Sequence, residues 1–303
     1  MVYDYKKTRI KAQQKLTSEK NCYKIYDIRF PSKYKTDVKK NNTVYATLYT
    51  PKKKFKQTIL LIHGTGAGKV QKFLFDIFCK ALSKRGFEAV FITLPYNLQR
   101  TPPREKSGRT FDRLDAKQTL CFFEQAILDI RSLMDMLEQS QKRRFSIFGT
   151  SLGGIIALMS MALDKRIKKG VFLVTGGYYP KLLWGGVLRF FMKEDCPNSA
   201  ECRRIHEGYR QYIKKIKKPK DLDKVAFKKE CYLYDPLTFT NMMKERPVLM
   251  INGLFDFVIP KSAADELWNS LGKPRLIWLP AGHGTTSLFY PKILKETTAF
   301  LDK

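Results

Sequence analysis

The chain has 303 residues, of which 44% are hydrophobic and 13% aromatic, which excludes wholesale disorder and suits one large α/β domain with an insertion or two ordinary domains. Its 57 basic and 28 acidic residues give a formal charge of +29, dispersed along the chain rather than concentrated in one block. Such charge permits weak contact with an anionic surface but specifies no partner, and with no zinc-finger spacing, helix-turn-helix pattern or RNA-binding aromatic signature no specific nucleic acid is expected.

Residues 1–22 read as a polar, basic arm. Its start, MVYDYKKTRIKAQQ, lacks the apolar core of a secretory signal. No apolar run approaches the ~18 residues that span a bilayer, so a cytoplasmic protein is expected. Residues 23–30 and 44–50 are strand-like, the second closed by Pro51. After a basic turn, 58–62 predicts a buried strand that runs straight into His63-Gly64-Thr65-Gly66-Ala67-Gly68-Lys69. Residues 71–85 carry helical periodicity, and 88–94 is a further apolar strand ending at Pro95. The polar loop 95–113 comes next, with Arg100, Arg104 and Arg109. A long helix is predicted over 115–139, where Leu120, Phe123, Ile127, Ile130, Met134 and Leu137 form one stripe.

The alternation continues with a strand at 145–148, a helix at 152–163 and a strand at 170–174. Residues 178–240 break it. They are rich in aromatics, lysines and cysteines, show no clear strand, and are expected to form an inserted cap or lid. Cys196, Cys202, His206 and Cys231 lie here at spacings unusual for a metal site, so thiols rather than metal ligands are expected. The rhythm returns with strands at 247–251 and 275–279 and helices at 262–271 and 290–301. Strands alternating with helices imply a mostly parallel central sheet with helices on both faces. The core would comprise 23–177 and 241–303, with 178–240 inserted.

The strongest local signal is Gly149-Thr150-Ser151-Leu152-Gly153, set between a predicted strand and a predicted helix. That is the context of a nucleophile elbow. The turn is so tight that its flanking residues must be small, and it pushes the Ser151 hydroxyl out at the carboxyl edge of the sheet. The helix behind supplies a free amide at Leu152 and a positive dipole end. A serine hydroxyl needs a base, and the chain has only three histidines. His283 lies beyond the last predicted strand between two glycines, which suits the part better than His63 or His206. The base needs an orienting carboxylate. Asp256 lies just after the strand ending at 251. Asp235 is the rival, but it precedes that strand and is expected at the opposite edge.

On these residues the sequence resembles the α/β-hydrolases of serine-esterase type. HGTGAG is similar to the family's oxyanion loop, GTSLGG to its nucleophile elbow, NGLFDFVIP to its acid loop and AGHGTT to its histidine loop, over residues 43–303. The resemblance implies an α/β-hydrolase fold that cleaves a small-molecule acyl ester. Ser151 would be nucleophile, His283 general base and then acid, and Asp256 the orienter. The Leu152 and Thr65 amides would form the oxyanion hole. No metal or organic cofactor is required. Tyr96, Arg100, Trp184 and Phe190 are candidate substrate contacts, with Leu182, Leu183 and Phe191 considered beside them.

The glycine turn itself excludes two phosphate readings. A P-loop needs four residues between its glycines and a hydroxyl after its lysine. Here three lie between Gly64 and Gly68, and Val70 comes after Lys69. A dinucleotide fingerprint needs its third glycine one residue later than Gly68. An oxyanion loop needs only small residues that let a backbone N–H approach a developing negative oxygen.

Overall fold

The structure, a computed structural model, describes residues 2–190, 196–243 and 245–303. In chain order its elements are β1 (Gln13–Glu19), β2 (Tyr23–Pro31), β3 (Thr43–Pro51), β4 (Thr58–Ile62), α1 (Lys69–Lys84), β5 (Glu88–Ile92), α2 (Ala116–Glu138), β6 (Phe145–Thr150), α3 (Leu152–Leu163) and β7 (Ile167–Leu173). Five short helices come after β7: α4 (Tyr179–Trp184), α5 (Ser199–Ile205), α6 (Tyr209–Lys215), α7 (Asp221–Lys224) and α8 (Cys231–Tyr234). The chain closes with β8 (Val248–Gly253), α9 (Lys261–Ser270), β9 (Arg275–Leu279) and α10 (Tyr290–Asp302).

The runs TILLI, EAVFI and VLMING are buried at every position, because strands covered on both faces cannot alternate with polar residues. They lie inside a nine-stranded sheet of order β1-β2-β3-β5-β4-β6-β7-β8-β9 among the described residues. β1, β2 and β3 pair antiparallel, as does β3 with β5; from β5 to β9 all pairing is parallel. Successive side chains point to opposite faces. Ile59, Leu61, Phe148 and Ile251 therefore pack with residues of α1 and α10, while Leu60, Ile62, Ile147 and Met250 pack with those of α2 and α3. The parallel registers level the carboxyl ends: Ile62 pairs with Gly149, Thr150 with Leu173, and Gly253 with Leu279. The loops that leave those strands therefore meet at one edge of the sheet.

The long helix begins where a capping box closes it. The Asp115 carboxylate accepts from the Gln118 amide at 2.8 Å, and the Gln118 side chain accepts from the Asp115 amide at 3.1 Å. α3 is buried along its whole length. It packs against β6, β7, α2 and the 3-10 segment Pro236–Met243, which leaves no face for solvent.

The first 22 residues differ from a plain polar arm. Gln13–Glu19 joins the sheet edge, and Tyr3 is buried with its hydroxyl donating to the Leu233 carbonyl at 2.8 Å. β1 is exposed at nearly every position, so it carries no apolar alternation for a sequence pattern to reveal. Residues 178–240 leave the sheet after β7 and return to it at β8, and among the described residues they contain no strand. Their aromatic residues cluster, with the Tyr209 and Tyr232 rings 4.6 Å apart and His206 and Tyr232 5.1 Å apart, and the cluster is continuous with the core on the α2–α3 face of the sheet. His206 donates from Nδ1 to the Cys202 carbonyl at 2.8 Å, and burial lowers its pKa. Among the described residues no three His, Cys, Asp or Glu side chains are grouped to hold a metal.

Arg100, expected as a substrate contact, is a structural residue instead. It is fully buried, pairs with Asp129 at 2.8 Å and donates to the carbonyls of Asn41 at 2.6 Å and Thr93 at 3.1 Å. A buried cation must be matched by buried acceptors, and α2 supplies the carboxylate. Arg100→Met strands the Asp129 charge and lowers unfolding free energy by about 3–5 kcal/mol. Arg100→Met combined with Asp129→Leu recovers most of that loss. Urea unfolding of both variants checks this; an unchanged single variant refutes it.

Candidate active site

Ser151 lies between β6 and α3 with φ 56° and ψ −127°, a conformation that costs a non-glycine residue about 1–3 kcal/mol and persists only where its surroundings enforce it. They do so here. The Ser151 amide donates to the Leu173 carbonyl at 2.9 Å. A Cβ on Gly149 would overlap the Gly153 carbonyl, and one on Gly153 would overlap the His63 carbonyl, so the elbow closes only with glycine at both places. Leu152 is the first residue of α3, and its amide has no intrahelical acceptor.

His283 stands on the loop after β9, and Asp256 on the loop after β8. The distance from His283 Nε2 to Ser151 Oγ is 2.9 Å, and from His283 Nδ1 to Asp256 Oδ2 it is 2.8 Å. The tautomer that fits both carries its proton on Nδ1, donates to Asp256 and accepts from the serine hydroxyl. The other oxygen of Asp256 accepts from the amides of Val258 and Ile259, each at 2.8 Å. The Asp256 side chain is only 1% exposed, so its charge acts on the imidazole with little screening. The three residues expected to work together are thus joined in one chain of hydrogen bonds, over sequence separations of 132 and 27 residues.

The glycine turn passes directly beside the serine. A Cβ on Gly64 would sit 3.2 Å from Ser151 Cβ, tighter than ordinary packing. Gly66 has φ 66°, the left-handed region that favours glycine. His63 is fully buried and does not reach Ser151. Its Nδ1 donates to the Gly64 carbonyl at 2.6 Å, and its Nε2 accepts from the Leu94 amide at 3.0 Å. Burial lowers its pKa to about 4, which keeps the ring neutral and suits those two roles. His63 therefore clamps the turn to the end of β5. Thr65 is exposed and lines the cavity, as Lys69 does at the start of α1.

Ser151 and His283 open into a cavity of about 780 Å³. Its walls come from both faces of the sheet: Phe111, Phe123, Leu182 and Leu183 on one side, Phe75 and Phe78 on the other. Tyr96, Arg100, Trp184 and Phe190 are not among its lining residues. The Tyr96 ring stacks on Phe122 at 6.4 Å, Trp184 packs against the core, and Phe190 is 68% exposed. Phe191 lies outside the described residues. Leu182 and Leu183 do reach the site, whereas sequence reasoning missed Phe111, Phe123 and Tyr234; Phe123 was legible only as part of a core stripe. Asp235 is not at the opposite edge. Residues 178–240 fold back over the carboxyl ends of the strands and carry Asp235 into the cavity wall. There its carboxylate accepts from the amides of Tyr178, Tyr179 and Leu237, while burial raises its pKa to about 6. The carboxylate that His283 meets is that of Asp256.

A mostly parallel sheet with helices on both faces and a serine at the strand-to-helix elbow define an α/β-hydrolase. The family model for serine hydrolase (FSH1) matches residues 53–286, and the chain belongs to that family. Two uncharacterized proteins of Mycobacterium tuberculosis, from strains CDC 1551 and H37Rv, are each 24% identical over 247 residues, covering 80% of this chain and 53% of their own. The chain thus spans about half the length of those relatives. Among solved structures it is similar to an acetyl xylan esterase from Paenibacillus sp. R4, with TM-score 0.59, 18% identity, and coverage of 95% of this chain and 89% of that one. It also resembles an acylaminoacyl peptidase from Pyrococcus horikoshii, with TM-score 0.63, 17% identity, and coverage of 93% and 42%. A cold-adapted esterase from an Arctic intertidal metagenomic library aligns with TM-score 0.55 and 15% identity over 94% and 95% of the two chains. These three likenesses establish the fold.

Proposed function

We propose that the protein hydrolyses a carboxylic ester with an apolar acyl group through an acyl-enzyme. The observation that supports this reading is the hydrogen-bonded run from Asp256 through His283 to Ser151, ending at an apolar cavity. Ser151 Oγ attacks the ester carbonyl as His283 Nε2 takes its proton. Asp256 holds the tautomer and steadies the imidazolium. The carbonyl oxygen becomes negative against the amides of Leu152 and Thr65. His283 then passes the proton to the departing alcohol oxygen, which leaves Ser151 acylated. Water, deprotonated by the same nitrogen, attacks the acyl carbon and releases the acid. This route needs no cofactor.

The cavity supports the acyl preference. Its size falls within the range of small-molecule sites, and Phe111, Phe123, Leu182 and Leu183 offer nothing to hydrogen-bond a polar acyl chain. Thioester or peptide cleavage and acyl transfer would use the same machinery, so the bond is chosen by substrate and not by fold. The test is a series of p-nitrophenyl esters and matched thioesters of increasing acyl length. We expect kcat/KM to rise at least tenfold from acetyl to octanoyl, since a buried methylene contributes about 0.8 kcal/mol. A flat or falling profile overturns the apolar acyl site. A fluorophosphonate should add its mass to the peptide containing Ser151, and absence of any label would favour a non-catalytic binder.

A further inference from the structure

Large apolar side chains left in water cluster around the mouth of this cavity. Val70, Phe73, Phe190, Phe255, Phe257 and Leu288 are between 60% and 78% exposed. Single exposed apolar residues are ordinary, but a contiguous group marks a contact surface. Backbone hydrogen bonds and the residues that line the cavity place these six around its mouth. Val70 lines the cavity, and Phe73 lies one turn further along α1. Phe255 and Phe257 flank Asp256. The Phe255 amide donates to the Ala281 carbonyl at 3.0 Å, two residues before His283. The Phe257 carbonyl accepts from the Val187 amide at 2.9 Å, and the Val187 carbonyl accepts from the Phe190 amide at 3.1 Å. Leu288 lies between Ser287 and Tyr290, of which both line the cavity. Of the other large apolar residues exposed among those described, Leu254 belongs to the same loop, while Leu16 and Phe227 lie elsewhere in the chain.

Cations are interleaved with this rim. Lys69 precedes Val70, Arg189 sits over the Phe190 ring at 4.6 Å, and Lys292 lies just beyond Leu288 on α10. Lys106 is brought alongside by Ser107, whose hydroxyl donates to the Ala67 carbonyl of the glycine turn at 2.5 Å. Carboxylates nearby are engaged: Asp76 by Lys72 and Tyr49, Glu105 by Arg113. Among the described residues no helix is long and apolar enough to cross a membrane. An apolar ring with basic side chains around it is the composition that enters the interface of an anionic bilayer from one side. A second copy would bring another +29 against this one, which opposes self-association.

We propose that the rim of the cavity docks on an anionic lipid surface, so that an apolar ester passes from the lipid into the site without crossing water. The proposal rests on the cavity being the ester site, and vesicle binding tests it apart from catalysis. The probe is flotation of the full chain, as Ser151→Ala, with vesicles of phosphatidylcholine alone or with roughly 30% phosphatidylserine. Partition onto the mixed vesicles should exceed that onto phosphatidylcholine by about tenfold or more, at roughly fivefold per basic side chain brought to the surface. It should fall as NaCl rises from about 0.05 M to about 0.5 M. Phe73→Asp with Leu288→Asp should lower it a further tenfold, while leaving the wild-type background's turnover of water-soluble p-nitrophenyl acetate within about twofold. Phe73→Leu with Leu288→Phe should keep binding.

No vesicle binding by the parent chain overturns the proposal, as does binding that the acidic pair leaves intact. A chain that sediments as a dimer and becomes monomeric in the acidic pair, without vesicle binding, overturns it in favour of a second copy covering the rim. Vesicle binding in a protein with no esterase activity upholds the docking surface and rejects the ester reading.

Discussion

Ser151→Ala lowers kcat/KM for a p-nitrophenyl ester by about 10⁴-fold or more, while the protein unfolds at an unchanged urea midpoint. The two halves of this result have separate causes. The hydroxyl is the atom that the relay from Asp256 and His283 reaches, with Nε2 2.9 Å from it. Without it, water must attack directly, and only binding and the amides proposed to hold the oxyanion remain to help. The elbow itself is held by the Leu173 carbonyl, which accepts from the Ser151 amide, and by the glycines at 149 and 153, while Oγ bonds to His283. Alanine keeps the same positive φ and the same packing, so folding is spared. Circular dichroism and urea unfolding beside the turnover assay make the check. Turnover within tenfold of the parent rejects Ser151 as the nucleophile.

Asp256→Asn lowers kcat by about 10³–10⁴-fold. Its carboxylate accepts three hydrogen bonds, from Val258 N, Ile259 N and His283 Nδ1. An amide has one oxygen and one NH₂. If the oxygen stays with the two backbone amides, the NH₂ faces Nδ1 and forces the opposite tautomer. Nε2 then carries a proton and takes none from Ser151. If the amide turns over, its NH₂ opposes two backbone donors. Either way the base is lost or the loop is disturbed. Asp235→Asn is the paired comparison. Asp235 accepts from the backbone amides of Tyr178, Tyr179 and Leu237, two of them at the start of α4, so its loss should loosen the cavity wall and cost turnover less than about 100-fold. If Asp235→Asn is the more damaging of the two for kcat, with both proteins folded, the orienting acid is misassigned.

The ease with which these residues are found in the sequence varies with how local their constraints are. The central strands are legible because burial on both faces demands unbroken apolar runs. The helix over 115–139 is legible from its stripe and from Asp115 and Gln118 at its start. β1 is not, since an edge strand wet on both faces has a polar sequence. Arg100 resembles a solvated loop residue because its partner, Asp129, lies one helix away. Nothing near Arg100 announces that it is buried.

The sequence by itself determines the elbow and the chain order of serine, acid and histidine. The glycine at 149 is demanded by the Gly153 carbonyl four residues on, a short-range steric demand that must be written into the local sequence, whereas the glycine at 153 is demanded by the His63 carbonyl, which the pairing of β4 with β6 brings beside it. The tertiary structure decides what surrounds them. It selects Asp256 over Asp235 as the carboxylate that meets His283, brings Phe111, Phe123 and Tyr234 to the cavity, and leaves Phe190 outside it. It also turns Arg100 from a surface cation into the anchor of its loop. Each of those outcomes depends on how distant segments share volume, which no single stretch of the chain encodes.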